Sequence, residues 1–152
     1  MPFAGLAGSD LAKVSGLSTV RDPYAGSEVL VIPAIQPDVA LIHVQEADKD
    51  GDLRIGGAHF EDILLAKAAK RVIATAERIV PRASFVEQPE LTALPGFLVE
   101  QVVEAPRGAW PTSCHSCYSY DKDYLTAYAA AAKTEAGFQR FLDEHVLRTA
   151  PA

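Results

Sequence analysis

Residues 37–57, PDVALIHVQEADKDGDLRIGG, constrain the fold more than any other stretch. Val39-Ala40-Leu41-Ile42-His43-Val44 is a continuous apolar run rather than an alternating one. That pattern predicts a strand of a parallel sheet covered on both faces. Asp50-Gly51 predicts a turn, because both residue types tolerate positive φ. Leu53-Arg54-Ile55 reads as a short second strand, and Gly56-Gly57 interrupts it. A buried strand that gives way to a polar, glycine-punctuated loop is the junction at which open α/β sheets bind ligands.

The rest of the chain supports the same class. Residues 60–70 predict a helix: Phe60, Ile63, Leu64 and Lys67-Ala68 follow the 3.6-residue period, and Lys67, Lys70 and Arg71 suit the C-terminal end of the helix dipole. Residues 71–76, RVIATA, form a second apolar strand. Strand, helix, strand within about forty residues is a βαβ-type unit with a right-handed crossover. A further strand is expected within residues 28–35, stopped by Pro33, and another within 97–104. Residues 1–28 read as loop with short pieces of structure, 79–94 as polar connection, and 105–120 as a long loop. Asp121 or Asp123 can cap a helix running to Ala132. Thr134 can cap the last helix, with Phe138, Phe141, Leu142 and Val146 on one stripe. The expected architecture is α/β, three-layer α/β/α with a mainly parallel sheet. Its 152 residues are expected to form a single domain.

Composition excludes several functions. The net charge of −6 repels phosphate backbones, so no nucleic-acid partner is expected. No apolar run reaches the roughly 18 residues of a spanning helix, so no membrane partner is expected either. Two cysteines are too few for a disulfide framework, and the first residues, MPFAGLAGSDLAK, lack the pattern of a secretory signal. A cytoplasmic location is the expectation.

Several short motifs carry a family resemblance. Pro37, Asp38, Ala40, Leu41, Ile42, Ala47, Asp48 and Gly51 match a segment of the family I coenzyme A transferases. Ala68-Ala69-Lys70-Arg71-Val72-Ile73 and Glu77-Arg78-Ile79-Val80 are similar to the segment that follows it in that family. Leu94-Pro95-Gly96-Phe97-Leu98-Val99 and APRGAWPTSC, residues 105–114, resemble glutaconate CoA-transferase-like A subunits, and so does the tail Gly137-Phe138…Phe141-Leu142-Asp143-Glu144. Asp52 stands where the family favours Asn. The resemblance covers roughly residues 28–148. It implies the C-terminal half of an A (α) chain that works with the N-terminal part of that chain and with a B (β) subunit. It also implies transfer of CoA from an acyl-CoA to a free carboxylic acid through a glutamyl-CoA formed on the partner chain. Coenzyme A would be a co-substrate, with no permanently bound cofactor. Two other readings stay open: an acyl-CoA hydrolase or ring-opening enzyme of the same family, and a non-catalytic acyl-CoA-binding or assembly module.

The candidate contacts follow from position and chemistry. Gln45 and Glu46 end the first strand, where they could contact substrate or serve as hydrogen-bonded strand-end polar groups, and His43 reads as a satisfied core histidine. Glu46 is the acid beside this crevice that could act as nucleophile or base, although a solvated or capped charge is the commoner role for such a group. Gly56 and Gly57 could admit a close ligand approach or simply reverse the chain. Trp110 and Ser113 could wall an acyl pocket, or Trp110 could pack against a partner. Asp48, Asp50 and Asp52 alternate around Gly51, but they lack the terminal glutamate of a calcium loop and read as a turn. Cys114-His115-Ser116-Cys117 lacks complementary ligands for zinc, so no metal site is expected.

Overall fold

The computed structural model describes residues 2, 3, 5 and 8–147, so Arg148, the last residue of the resemblance, lies outside them. The chain divides into two compact units, residues 1–37 and 38–152.

The first unit holds β1 (Pro2–Phe3), α1 (Asp10–Val14), β2 (Ser18–Arg21) and β3 (Glu28–Val31). They form an antiparallel sheet in the order β1-β3-β2. Asp22 shapes the β2–β3 connection by accepting the Tyr24 and Ala25 amides, and Gly26 supplies a φ of +72°. The expectation of loop with short pieces of structure over residues 1–28 is met by these elements, of which β2 is a four-residue strand. All four residues of β2 are exposed, so no apolar alternation marks it.

The second unit carries β4 (Val39–Ala47), β5 (Leu53–Arg54), α2 (Asp62–Ala68), β6 (Arg71–Ile79), α3 (Arg82–Glu87), β7 (Gln101–Glu104), α4 (Lys122–Ala131) and α5 (Glu135–Leu142). The strand order is β5-β4-β6-β7. β4, β6 and β7 run parallel, and β5 folds back antiparallel on β4. The fold is α/β with a mainly parallel sheet, as the apolar runs and helix periods require.

One face of this sheet makes the core. Val44, Ala47, Leu53, Ala74, Ala76 and Leu94 are fully buried, with Ala40, Ile42 and Val72 beside them and Ala66 of α2 packed in. Burying a Val or Leu side chain stabilises by about 1.5–3 kcal/mol, so this cluster dominates the unit's stability. The other face of β4 is not covered along its first half: Val39 and Leu41 are exposed, Leu41 by 78%. The expectation of cover on both faces thus holds for one face within this chain.

Boundaries moved for identifiable reasons. β4 and β6 run three residues beyond their apolar cores, because Glu46 and Ala47 pair in register with Arg78 and Ile79. α2 begins at Asp62 rather than at residue 60, because Phe60 has a φ of +40°. α3 lies in the stretch read as connection, and its buried residue is Phe85, too little apolar signal to announce a helix. Both expected caps form: Asp121 Oδ1 accepts the Tyr124 amide at 2.9 Å, and Thr134 Oγ1 accepts the Gly137 amide at 3.1 Å.

Candidate active site

Gln45 lies near the carboxyl end of β4 and its side-chain amide is held at both ends. Its Oε1 accepts the Gly56 N–H at 2.8 Å, and its Nε2 donates to the His115 carbonyl at 3.2 Å. A backbone donor and a backbone acceptor fix which end is oxygen. Oε1 keeps a second lone pair, and the side chain also hydrogen-bonds the Cys114 thiol. Gln45, Ile55 and Gly56 line two cavities, one of about 550 Å³ and one of about 390 Å³. Sequence reasoning placed Gln45 and Gly56 at a site separately, and the structure brings them together.

Glu46 opens on the larger cavity with Arg54, Glu77, Arg78 and Ser116. Its Oε2 accepts from Arg54 at 3.0 Å, and its Oε1 accepts from Arg78. Burial alone would raise this carboxyl, but the hydrogen bonds from Arg54 and Arg78 outweigh it and hold it below the usual value. Both oxygens are thus bound by guanidinium groups, an arrangement suited to fixing Arg78 at the cavity rather than to nucleophilic attack. Arg54 is anchored further by the Ser84 hydroxyl and carbonyl, and lies 4.4 Å from the Phe85 ring centroid.

Gly57 is glycine for two reasons: its φ is +82°, and a Cβ there would sit 2.9 Å from His115 Cγ. Ser113 lines the smaller cavity with Gln45. Trp110 lines neither cavity; its ring packs against Tyr124 at 4.3 Å, in a cluster where Tyr124 also meets Phe141. The three alternating aspartates gather around Arg82, which bonds Asp50 at 2.6 Å and stands 3.9 Å from buried Asp48 and 4.0 Å from Asp52. Asp48 also accepts the Asp50 and Asp52 amides, which makes the segment a turn.

A network that sequence reasoning missed joins the site to residues 105–118. Glu77 accepts only, so His43 Nε2 carries the proton of their 2.8 Å contact, and Nδ1 hydrogen-bonds the Thr75 hydroxyl at 2.8 Å. Glu77 also accepts the Tyr118 hydroxyl at 2.7 Å and the Arg107 amide at 2.8 Å, and the Ala109 amide donates to Tyr118 Oη. Burial would raise Glu77, yet the Arg107 amide, Tyr118 and His43 together lower it. Burial and the Glu77 bond push Tyr118 up to about 12. The parallel register sets His43 opposite Thr75. That pairing is set by strand register and leaves no mark in the sequence.

His43, Glu77 and Cys114 bring three ligand-type atoms within 4.8 Å of one another. Both His43 nitrogens and both Glu77 oxygens are already engaged by protein groups. Burial first, then Cys117, push the Cys114 thiol to about 11, so it is no ready thiolate. Among the described residues, no helix is long and apolar enough to cross a membrane.

A polar side chain clamped near a strand's carboxyl end in a mainly parallel sheet, beside two cavities, is placed where α/β proteins commonly bind small molecules. Residues 10–105 match the Coenzyme A transferase family, and the chain belongs to it. It is 40% identical over 128 residues to the A chain of glutaconate CoA-transferase from Acidaminococcus fermentans, covering 84% of this chain and 40% of that one. The crystal structure of glutaconate coenzyme A-transferase from the same organism superposes with a TM-score of 0.91 at 33% identity, over 97% of this chain and 52% of that one. The chain is also 36% identical to the cholesterol ring-cleaving hydrolase IpdA subunit of Rhodococcus jostii, covering 93% of this chain and 52% of that one. It thus spans about half the length of these relatives.

Proposed function

We propose that this chain, as the C-terminal half of an A-type (α) chain, forms one wall of an acyl-CoA pocket in a coenzyme A transferase. The complex moves CoA between an acyl-CoA and a free carboxylic acid. The thioester is attacked by a glutamate of a B-type (β) partner, and the reaction passes through glutamyl-CoA. The observation that carries this reading is the clamped Gln45 amide. With its oxygen on Gly56 and one N–H on His115, the amide is fixed, and its second N–H, now shared with the Cys114 thiol, is a donor that the oxygen on which charge develops during acyl transfer would take over. Glu46 then acts as the anchor of Arg78 rather than as the nucleophile.

The test is CoA exchange by the assembled complex carrying Gln45→Ala or Gln45→Glu. Loss of one oxyanion donor lowers kcat about 10²-fold. An unchanged kcat in both variants refutes the role of Gln45. The likeness to the IpdA subunit supports a second reading, hydrolysis or ring opening of an acyl-CoA. CoA release that needs no acceptor acid would select it.

A further inference from the structure

Phe60 departs from what its sequence position predicts. It sits in the turn closed by the Asp62 amide on the His59 carbonyl, ahead of α2. Its φ of +40° is one that bulky side chains avoid, and its side chain is 83% exposed. Strained conformations of this kind gather at ligand clamps. Here the turn sets Phe60 on the wall of the 390 Å³ cavity, with Gln45, Ile55, Ala58 and Ala109. That volume lies within the range of small-molecule sites.

The charges of the two cavities differ. The larger is lined by Arg54 and Arg78 as well as by Glu46 and Glu77. The smaller is lined by His43 and His115 but by no lysine or arginine, and its carboxylate is Asp62. Burying a second carboxylate beside an aspartate without a permanently charged lysine or arginine is costly, whereas an apolar chain against Phe60, Ile55 and Ala58 gains from leaving water.

We propose that the smaller cavity takes the acyl chain of an uncharged acyl group, one without a distal carboxylate, and that Phe60 is the specificity-determining wall of that site. This rests on the reading that Gln45 meets the acyl carbonyl. It places the substrate apart from the diacid named for the glutaconate relative.

The test is a ligand-observed NMR titration of the assembled complex with hexanoate and adipate, acids of equal length that differ in the distal carboxylate. Hexanoate is expected to bind at least about tenfold more tightly than adipate, and Phe60→Ala to weaken hexanoate about tenfold through loss of the aromatic wall. Phe60→Gly keeps the test independent of folding, because glycine adopts the positive φ without strain. It is expected to retain or raise the melting temperature while losing hexanoate as Phe60→Ala does. Equal binding of the two acids, no binding of either, or wild-type hexanoate affinity in Phe60→Gly overturns the proposal. Failed binding with intact CoA exchange by the complex removes only this pocket assignment. Selective hexanoate binding without CoA exchange removes only the transferase reading.

Discussion

Replacing Glu77 by leucine removes the acceptor that ties β6 to residues 105–118. Three donors lose it: His43 Nε2, the Tyr118 hydroxyl and the Arg107 amide. The Glu77 side chain is only 10% exposed, so the first two donors are left with little water to replace it. A hydrogen bond to a charged group contributes roughly 1.5–3 kcal/mol, and the Arg107 amide, at an exposed position, rehydrates at little cost. Counting the two shielded donors at the low end gives a loss of about 3 kcal/mol. With an m-value of about 2 kcal/mol/M, the urea midpoint falls by roughly 1.5 M. Trp110, the chain's one tryptophan, lies in the affected loop, and its emission reports the change directly. Glu77→Gln keeps an acceptor and the shape, and is expected to lose about half as much. A midpoint for Glu77→Leu within about 0.3 M of wild type, with Trp110 emission unchanged, would refute the reasoning.

Three further outcomes follow. The advantage of wild type over Glu77→Gln comes from a lowered carboxyl pKa, so it is full above the ordinary carboxyl value of about 4.5. It shrinks as pH falls below that and vanishes beneath the lowered folded value; urea midpoints between pH 3 and 7 (roughly the span of the carboxyl titration) check the direction. Gly57→Ala is expected to destabilise by about 1–3 kcal/mol, from its positive φ and the His115 ring, whereas Gly56→Ala, whose Cβ meets only ordinary contacts, stays within about 1 kcal/mol. Leu53→Ala, at a fully buried position, costs about 2–5 kcal/mol in the same assay, and Leu41→Ala, at an exposed one, less than about 0.5 kcal/mol.

Much of the framework was legible because local chemistry and tertiary structure agree in it. The run from Val39 to Val44, the Asp50-Gly51 turn and the Asp121 and Thr134 caps all formed where residue type placed them. Exposed or thinly apolar elements were not legible: β2 has no buried residue, and α3 buries Phe85 alone. The site was read in halves. Gln45 and Gly56 could be placed near a ligand by strand-end position, but their bond to each other depends on how β5 folds back on β4. The His43–Glu77–Tyr118 network joins residues 34 and 41 apart in sequence: β4–β6 pairing brings His43 to Glu77, and the loop between β7 and α4 brings Tyr118. Trp110 carried an apolar signal that fits a pocket wall as well as packing against a partner, and the internal ring contact it makes with Tyr124 was not legible in the sequence.

The central claim is that this chain shapes an acyl-CoA pocket whose nucleophile belongs to a partner subunit. The most direct measurement supplies the assembled complex with an acyl-CoA and traps the covalent intermediate with hydroxylamine, followed by mass spectrometry of each chain. The account predicts a hydroxylamine-sensitive glutamyl-CoA on the partner, with Glu46 of this chain unmodified and CoA passing to the acceptor acid. An adduct on Glu46, or CoA released to water with no adduct on either chain, would contradict it.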